Sequence, residues 1–479
     1  MNPPPAGRLP DGFTVVLAPG VERREGGTAL LGGSPARLLR LAPAARGLLT
    51  GDRLEVTGAR SAALAARLLD AGVAAPELPA VPRPDVLVDV TVVVPVKDRT
   101  DGLARLLAAL RADPGTAGCP VVVVDDGSAD PAAVAAVAAG ARLIRHDRAR
   151  GPAAARNAGL RAADTVAVAF VDSDCVPEPG WLATLAGHLA DPRLALVAPR
   201  ITPLDPDQPG WVARYEALAS ALDMGPAPAR VAPGTGVSYV PSAALLARRA
   251  ALGTGFDEAM PVAEDVDLVW RLTGAGWRVR YEPAARVAHD HRVELGDWLR
   301  RRAFYGTGAA LLAERHGAAV APLVISPWSL AAWVLPVFGG RLGVLGAAGV
   351  LGRASVLLAR RVAAPGQPPP IGWAAGLVLR GTASSGRALA RTVTRHHWPL
   401  TVAAALVSRR ARRAAGAVAV VDAVAAWWPH RREIDLPAFA AGRRLEDLAY
   451  GAGLWWGALR ARDGRALLPA APEPVAPRR

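Results

Sequence analysis

Ala169-Phe170-Val171-Asp172-Ser173-Asp174-Cys175-Val176-Pro177 is the stretch that decides how this chain is read. Apolar and β-branched residues run straight into two carboxylates one residue apart, and the run stops at a proline. The pattern is that of a buried strand. An Asp-x-Asp at its mouth brings two carboxylates near one point, where a hard cation and its bound phosphate oxygens can neutralise them. Asp and Ser are also ordinary turn formers, so the pair takes its meaning from what surrounds it.

Upstream, residues 86–96 form a near-continuous β-branched run, as in a strand covered on both faces of a parallel sheet. Residues 101–112 then place Leu103, Leu106, Leu107 and Leu110 on one helical face. A second buried strand, residues 121–124, ends in Asp125-Asp126-Gly127-Ser128. Strand, helix and strand at this spacing make a βαβ unit. Ligands of such sheets bind beyond the carboxyl ends of the strands, so Pro95-Val96-Lys97, Asp125-Asp126 and Asp172-Ser173-Asp174 are expected to line one crevice. Residues 150–159 open a further helix whose small residues let backbone approach a ligand, and Arg156 can reach a phosphate. Asn157 joins the candidates because a polar amide gains little from propensity in an Ala-rich helix.

Downstream, Glu264, Asp265 and Asp267 fall in the first turn of a helix. The helix dipole favours acids there, but three exceed what capping needs, and one can serve as a general base. A strand over residues 277–281 leads to His289-Asp290-His291, whose histidines share a face at strand spacing. One of them can complete a metal site with Asp174; which one stays open.

The flanks differ in character. Residues 13–31 read as a small hairpin-containing sheet, followed by helical stretches at 44–49 and 61–69, the second capped by Ser61. That order suits a winged-helix-like module, or equally a stabilising extension without chemistry of its own. Four prolines in residues 76–84 mark a linker. The expected domains are 1–83, 84–316 and 317–479.

The formal charge is +14 and the pI about 11.0, but Lys97 is the only lysine. The Arg excess interleaves with apolar runs instead of forming a stripe with aromatics for bases, which argues against nucleic acid as a partner. No Asp or Glu occurs between Arg315 and Val421, while arginines such as Arg341, Arg353, Arg409 and Arg410 punctuate apolar segments. Such a surface suits anionic headgroups. Residues 318–340 approach bilayer length but contain Pro322, Pro327 and Pro336; 342–352, 398–408 and 414–428 are shorter. The expectation is a membrane-associated helical region with Trp328, Trp333, Trp398, Trp427 and Trp428 near headgroups; the alternative is a soluble helical domain. The N-terminus lacks a basic segment followed by an apolar run, so the cytoplasmic face of the membrane is the expected location. Cys119 and Cys175 read as buried thiols.

The series Val92-Val93-Val94-Pro95, Val124-Asp125-Asp126-Gly127-Ser128, Arg156-Asn157-Ala158-Gly159, Asp172-Ser173-Asp174 and Glu264-Asp265 resembles the family 2 inverting glycosyltransferases of GT-A fold, over about residues 85–315. The resemblance implies a nucleotide-sugar donor and a divalent metal, Mg²⁺ or Mn²⁺. It assigns the nucleobase to Asp125 or Asp126, the ribose or diphosphate to Asp172, the metal to Asp174 and the acceptor hydroxyl to Asp265 as base. Lys97 stands where many relatives carry an aromatic residue or Asn.

More narrowly, the N-terminal module, the catalytic region and the apolar Arg-rich tail together are similar to the mycofactocin-biosynthesis branch of that family. This resemblance implies a peptide-derived redox cofactor as acceptor, UDP-glucose as donor and short β-linked glucose chains as product. A polyprenyl phosphate or other lipid acceptor is the alternative that the tail suggests. The Gln-x-x-Arg-Trp signature of polysaccharide synthases is missing, and Arg300-Arg301-Arg302 occupies that region, so processive polymer synthesis is not expected.

Overall fold

A computed structural model describes residues 3–78, 89–363 and 366–471. Most of the expected linker and residues 86–88 of the first long strand lie outside these. The chain divides into two compact units, Met1–Arg292 and Val293–Arg479.

The first unit is built on a nine-stranded sheet. Eight strands run in the order Cys175–Pro177, Arg278–His289, Leu194–Pro203, Ala244–Arg248, Ala167–Val171, Val90–Val96, Val121–Asp125 and Arg142–Arg145; Ala229–Val231 pairs with Arg278–His289. The last four are parallel. The Val-rich and Ala-rich sequences of the first three of these follow from burial on both faces: Val92, Val94, Val123, Ala169 and Val171 are all in the core, whereas Arg142–Arg145 is the largely exposed edge. The helix Thr100–Ala112 covers one face with Leu103, Leu106, Leu107 and Leu110, as its periodicity predicts. Ala244–Arg248 joins antiparallel to Ala167–Val171 and converts the parallel half into a mixed sheet.

The chain goes outward from Val90–Val96 in one direction through the second and third parallel strands, then returns to place Ala167–Val171 on its other side. That reversal leaves a crevice where Lys97 and Asp172 emerge.

The N-terminal module has two antiparallel three-stranded sheets and the helix Ala59–Ala71, enclosing a core of Val15, Leu30, Leu54, Val56, Leu68 and Leu69. Ser61 stabilises the helix start from its third position, its Oγ accepting from the amides of Thr57 and Gly58 at 2.8 and 3.1 Å. Only Pro43–Arg46 of the first expected helix is helical. The module is fastened to the nine-stranded sheet through Arg278, which donates to Asp70 at 2.8 Å and to Asp191 at 2.9 Å.

The second unit is helical. The helix Leu295–His316, which the expected boundaries group with residues 84–316, falls in this unit, where it packs along Leu436–Ala461. The contact depends on glycine: a Cβ on Gly306 would stand 2.2 Å from the Tyr450 carbonyl oxygen, and one on Gly453 would stand 1.8 Å from that of Ala303. Among the described residues, Pro327–Val362 is the one helix long and apolar enough to cross a membrane, with a mean hydropathy of 1.8 over its best window. It breaks at Gly340 (φ 54°), four residues beyond Pro336.

Candidate active site

The loops after the first two parallel strands are stitched together before any ligand is considered. Ser128 Oγ accepts from the Asp98 amide at 2.9 Å, and Asp98 Oδ1 accepts from the Ala129 amide at 2.7 Å. Asp125, fully buried, accepts from the Ser128 amide at 2.9 Å and pairs with Arg145. Asp126 meets His146 Nδ1 at 2.7 Å and accepts from the amides of Arg150 and Gly151 at 2.9 and 2.8 Å. Both carboxylates thus shape the crevice by holding its loops. Lys97 lies exposed at the end of its strand, and Pro95 sits within the strand opposite Val124.

Arg156 and Asn157, adjacent on the helix Pro152–Ala162, are both buried. The terminal nitrogens of Arg156, the candidate phosphate ligand, hold two carboxylates of the site, Nη1 donating to Glu264 at 2.9 Å and Nη2 to Asp172 at 2.6 Å. Its guanidinium stands 5.4 Å from the Phe256 ring centroid. Burial works against the charge, but Asp172 and Glu264 outweigh it and raise the pKa beyond the ordinary guanidinium value. Asn157 clamps the loop carrying Phe256: its Oδ1 accepts from the Phe256 amide at 2.9 Å and its Nδ2 donates to the Phe256 carbonyl at 2.8 Å. Gly255, at φ 81°, fits under that clamp because a Cβ would stand 2.2 Å from Asn157 Oδ1.

The acidic helix Glu264–Gly274 starts from Ala263 in the left-handed region (φ 62°), an unfavourable conformation for a residue with a Cβ. The bend turns Glu264 toward Arg156 and leaves Asp265 to receive the Ser242 amide at 3.2 Å and the Val266 amide at 2.8 Å. Burial, with the Glu264 carboxylate alongside, pushes the Asp265 carboxyl up to about 7. A carboxylate with such a pKa is matched to taking a proton near neutral pH. Glu264 is committed to the arginine, and Asp267 pairs with Arg271 at 2.6 Å one turn further on.

Asp174, Cys175 and His289 offer potential ligand atoms within 4.8 Å of one another. Asp174 Oδ1 is buried without a hydrogen-bond partner, and His289 Nε2 lies 3.6 Å away. A buried carboxylate oxygen facing an imidazole nitrogen just beyond hydrogen-bond distance fits a divalent cation between them. Cys175 does not fit the role, since burial pushes its thiol well above the ordinary range and its Sγ lies 3.4 Å from the Ala243 carbonyl oxygen. His291 meets His289 through their Nδ1 atoms at 3.1 Å, which orients the His289 ring with Nε2 toward Asp174. Beside His291 a cavity of about 260 Å³ opens between Arg105, Asp205, Gln208 and Asp290.

Three participants were not legible as such. Arg99 pairs with Asp174 at 3.0 Å, His146 orients Asp126, and Phe256 lies against Arg156. Arg99 had a signal, two residues beyond Lys97 at a strand end; Phe256 and His146 are placed only by tertiary structure.

A mixed sheet of this topology with its carboxylates gathered at a crossover crevice is a GT-A fold, and the sequence pattern described as "Glycosyl transferase family 2" matches residues 91–253. The chain belongs to the family 2 glycosyltransferases and is an enzyme of that class. It is 48% identical to "Pre-mycofactocin glycosyltransferase" of Mycobacterium tuberculosis, over 97% of this chain and 99% of that protein. The "Succinoglycan biosynthesis protein ExoU" of Rhizobium meliloti is 30% identical over 40% of this chain and 59% of its own length. Among solved structures, a mannosyltransferase from Pyrobaculum calidifontis in complex with GDP-Man and Mn²⁺ superposes with a TM-score of 0.39 at 22% identity, over 80% of this chain and 92% of that one.

Proposed function

We propose that this chain transfers glucose from UDP-glucose, with inversion, to the peptide-derived cofactor precursor pre-mycofactocin, and extends it to a short β-linked glucose chain. The observation that carries the acceptor is the full-length likeness to the M. tuberculosis pre-mycofactocin glycosyltransferase, which includes the N-terminal module and the C-terminal helices as well as the catalytic sheet. For the chemistry, the support lies in the site. Asp265, with its carboxyl raised to about 7, receives the proton of the acceptor hydroxyl as that oxygen attacks the anomeric carbon in line with the departing diphosphate. A single displacement inverts that carbon. Asp172 is held by Arg156 at the mouth of its strand, where it can take the ribose or the diphosphate. Asp174 and His289 would hold a divalent cation, Mg²⁺ or Mn²⁺, and such an ion supplies Lewis-acid neutralisation of the leaving diphosphate. Arg156 and Asn157 act from beneath the site, Arg156 by setting the positions of Asp172 and Glu264 and Asn157 by fixing the Phe256 loop.

The site is placed at the cytoplasmic face of the membrane in this reading. Phe338, Leu342, Leu406 and Val407 are more than three-quarters exposed, and Arg409, Arg410, Arg412 and Arg413 follow the last two. An apolar surface next to clustered arginines suits anionic headgroups. The same surface favours a second reading, transfer to a polyprenyl phosphate or another lipid acceptor.

The deciding experiment is mass spectrometry of mycofactocin-type metabolites in cells with and without the chain, complemented by Asp265→Asn. Loss of single-hexose increments in the deletion and in the variant supports the first reading. An unchanged ladder of glycosylated cofactor moves the acceptor to a lipid.

A further inference from the structure

We propose that Arg99 is an internal counter-ion of Asp174 that yields to the donor's diphosphate, so that cation and nucleotide bind cooperatively and neither binds well alone. This rests on the metal-dependent transferase reading and deepens it. Arg99 flanks the strand Val90–Val96 on one side and the helix Thr100–Ala112 on the other, and its Nη1 lies 3.0 Å from Asp174 Oδ2. The two oxygens of Asp174 therefore have opposite surroundings. Oδ2 is neutralised by a guanidinium, while Oδ1 has no donor and faces His289 Nε2 at 3.6 Å.

A cation arriving at Oδ1 meets a carboxylate whose charge is already answered, and it meets the repulsion of the guanidinium a few ångströms away. Arginine cannot relieve this by losing its proton. It can only move. Its side chain is 34% exposed, which leaves room to rotate, and the planar fork of a guanidinium suits phosphate oxygens as well as carboxylate ones. Lys97 stands exposed two residues earlier, just past the end of the same strand, and adds a second cation to this loop. Transfer of Arg99 from Asp174 to phosphate returns the full charge of Asp174 to the cation. The exchange makes each ligand's affinity depend on the other, as linkage requires.

The test is Mn²⁺ binding to the purified full-length chain, read by the electron paramagnetic resonance of free Mn²⁺, with and without UDP, after subtraction of the Mn²⁺ that UDP binds in the absence of protein. In the unaltered chain UDP is expected to tighten Mn²⁺ by about tenfold or more, the order of one screened unit-charge interaction. In Arg99→Gln, Mn²⁺ alone is expected to bind about tenfold more tightly than it does to the unaltered chain alone, and the gain from UDP is expected to shrink to the part that direct contact of cation and diphosphate supplies. Arg99→Lys keeps the charge and is expected to keep the gain, which separates electrostatics from a packing effect. Asp174→Asn reports on the metal site itself. If Asp174→Asn abolishes Mn²⁺ binding while Arg99→Gln matches the unaltered chain with and without UDP, the counter-ion role is overturned and the metal site stands. If Asp174→Asn binds Mn²⁺ as the unaltered chain does, the metal reading fails and the counter-ion role with it.

Discussion

Nη1 of Arg156 donates to Oε1 of Glu264 across 2.9 Å in a buried setting, joining two residues 108 positions apart in the chain. One helix thereby dictates where the first turn of another can place its acids. Glu264 adds to the raised pKa of Asp265, and the charge of Arg156 opposes it. Removing the arginine charge therefore raises the Asp265 pKa further. Arg156→Met is expected to move the ascending limb of the pH–kcat profile to higher pH by about one unit, with about a fivefold loss of kcat at neutral pH. Arg156→Lys, retaining the charge without the fork, is expected to shift the limb less. A residue with a purely structural role would lower the plateau without moving the limb.

Asp265 itself gives a prediction of opposite sign for stability and activity. Its carboxyl is raised from 3.8 to about 7 in the folded chain. A folded state that binds the proton more tightly than the unfolded state gains stability below the unfolded pKa, and that gain is lost as pH rises through the folded value. Between pH 4 and 7 the contribution of Asp265 to stability is expected to fall as pH rises, read as the difference in urea stability between the unaltered chain and Asp265→Asn, while transfer activity rises through about pH 7. Asp265→Asn is expected to remove that falling contribution over the window and to cut kcat by about 10²- to 10⁴-fold, the usual contribution of a general base. Urea titrations at several pH values, set beside initial rates, read both.

Much of this was legible. The parallel half of the sheet announced itself because strands buried on both faces must be nearly all Val and Ala, and residues 90–96, 121–125 and 167–171 are. Asp172, Asp174 and the Glu264-Asp265 pair stood at strand and helix ends, where local pattern suffices to place them. The strand Arg278–His289 was foreseen only over its first residues. Its charged members Arg278, Arg280 and Glu282 suggest a surface, yet all three are buried against Asp191, His188 and Asp70. Periodicity carries no information about partners so far away in the chain. The two carboxylate partners of Arg156 were hidden for the same reason, since Glu264 lies 108 positions away in the chain. In the second unit, the seam between Leu295–His316 and Leu436–Ala461 rests on glycines that a Gly-rich composition conceals.

The buried ion pairs give a stability prediction for the first unit. Asp191 is almost fully buried and accepts two bonds from Arg278 Nη1, while Asp70, a third exposed, accepts one from Arg278 Nε and another from Arg193. Asp191→Ala leaves Nη1 of the buried Arg278 guanidinium without its acceptor, with only the partly exposed Asp70 to answer the charge, and is expected to cost about 3 kcal/mol. Asp70→Ala removes only the screened outer partner and is expected to cost about 1 kcal/mol. It is also expected to expose the N-terminal module to limited proteolysis. Denaturant titration of both variants tests the order, and equal costs would contradict the assignment of Asp191 as the inner anchor.

The apolar face of the second unit offers the last prediction. Leu406 and Val407 are 76% and 88% exposed at the end of the helix Trp398–Val407, and the next helix, Arg409–Trp427, opens with four arginines in its first five residues. Two exposed aliphatic side chains supply hydrophobic insertion, and the arginines supply attraction that salt screens. The full-length chain is expected to co-sediment with vesicles containing phosphatidylglycerol, to do so weakly with phosphatidylcholine alone, and to be released as ionic strength rises. Leu406→Glu with Val407→Glu is expected to weaken association by about tenfold or more, since each buried aliphatic side chain contributes about 1.5–3 kcal/mol. Activity toward a water-soluble acceptor is expected to be unchanged in that variant, because both residues lie outside the unit that carries Asp174 and Asp265. If the double variant bound vesicles as well as the unaltered chain, the surface would have to be assigned to a protein partner instead.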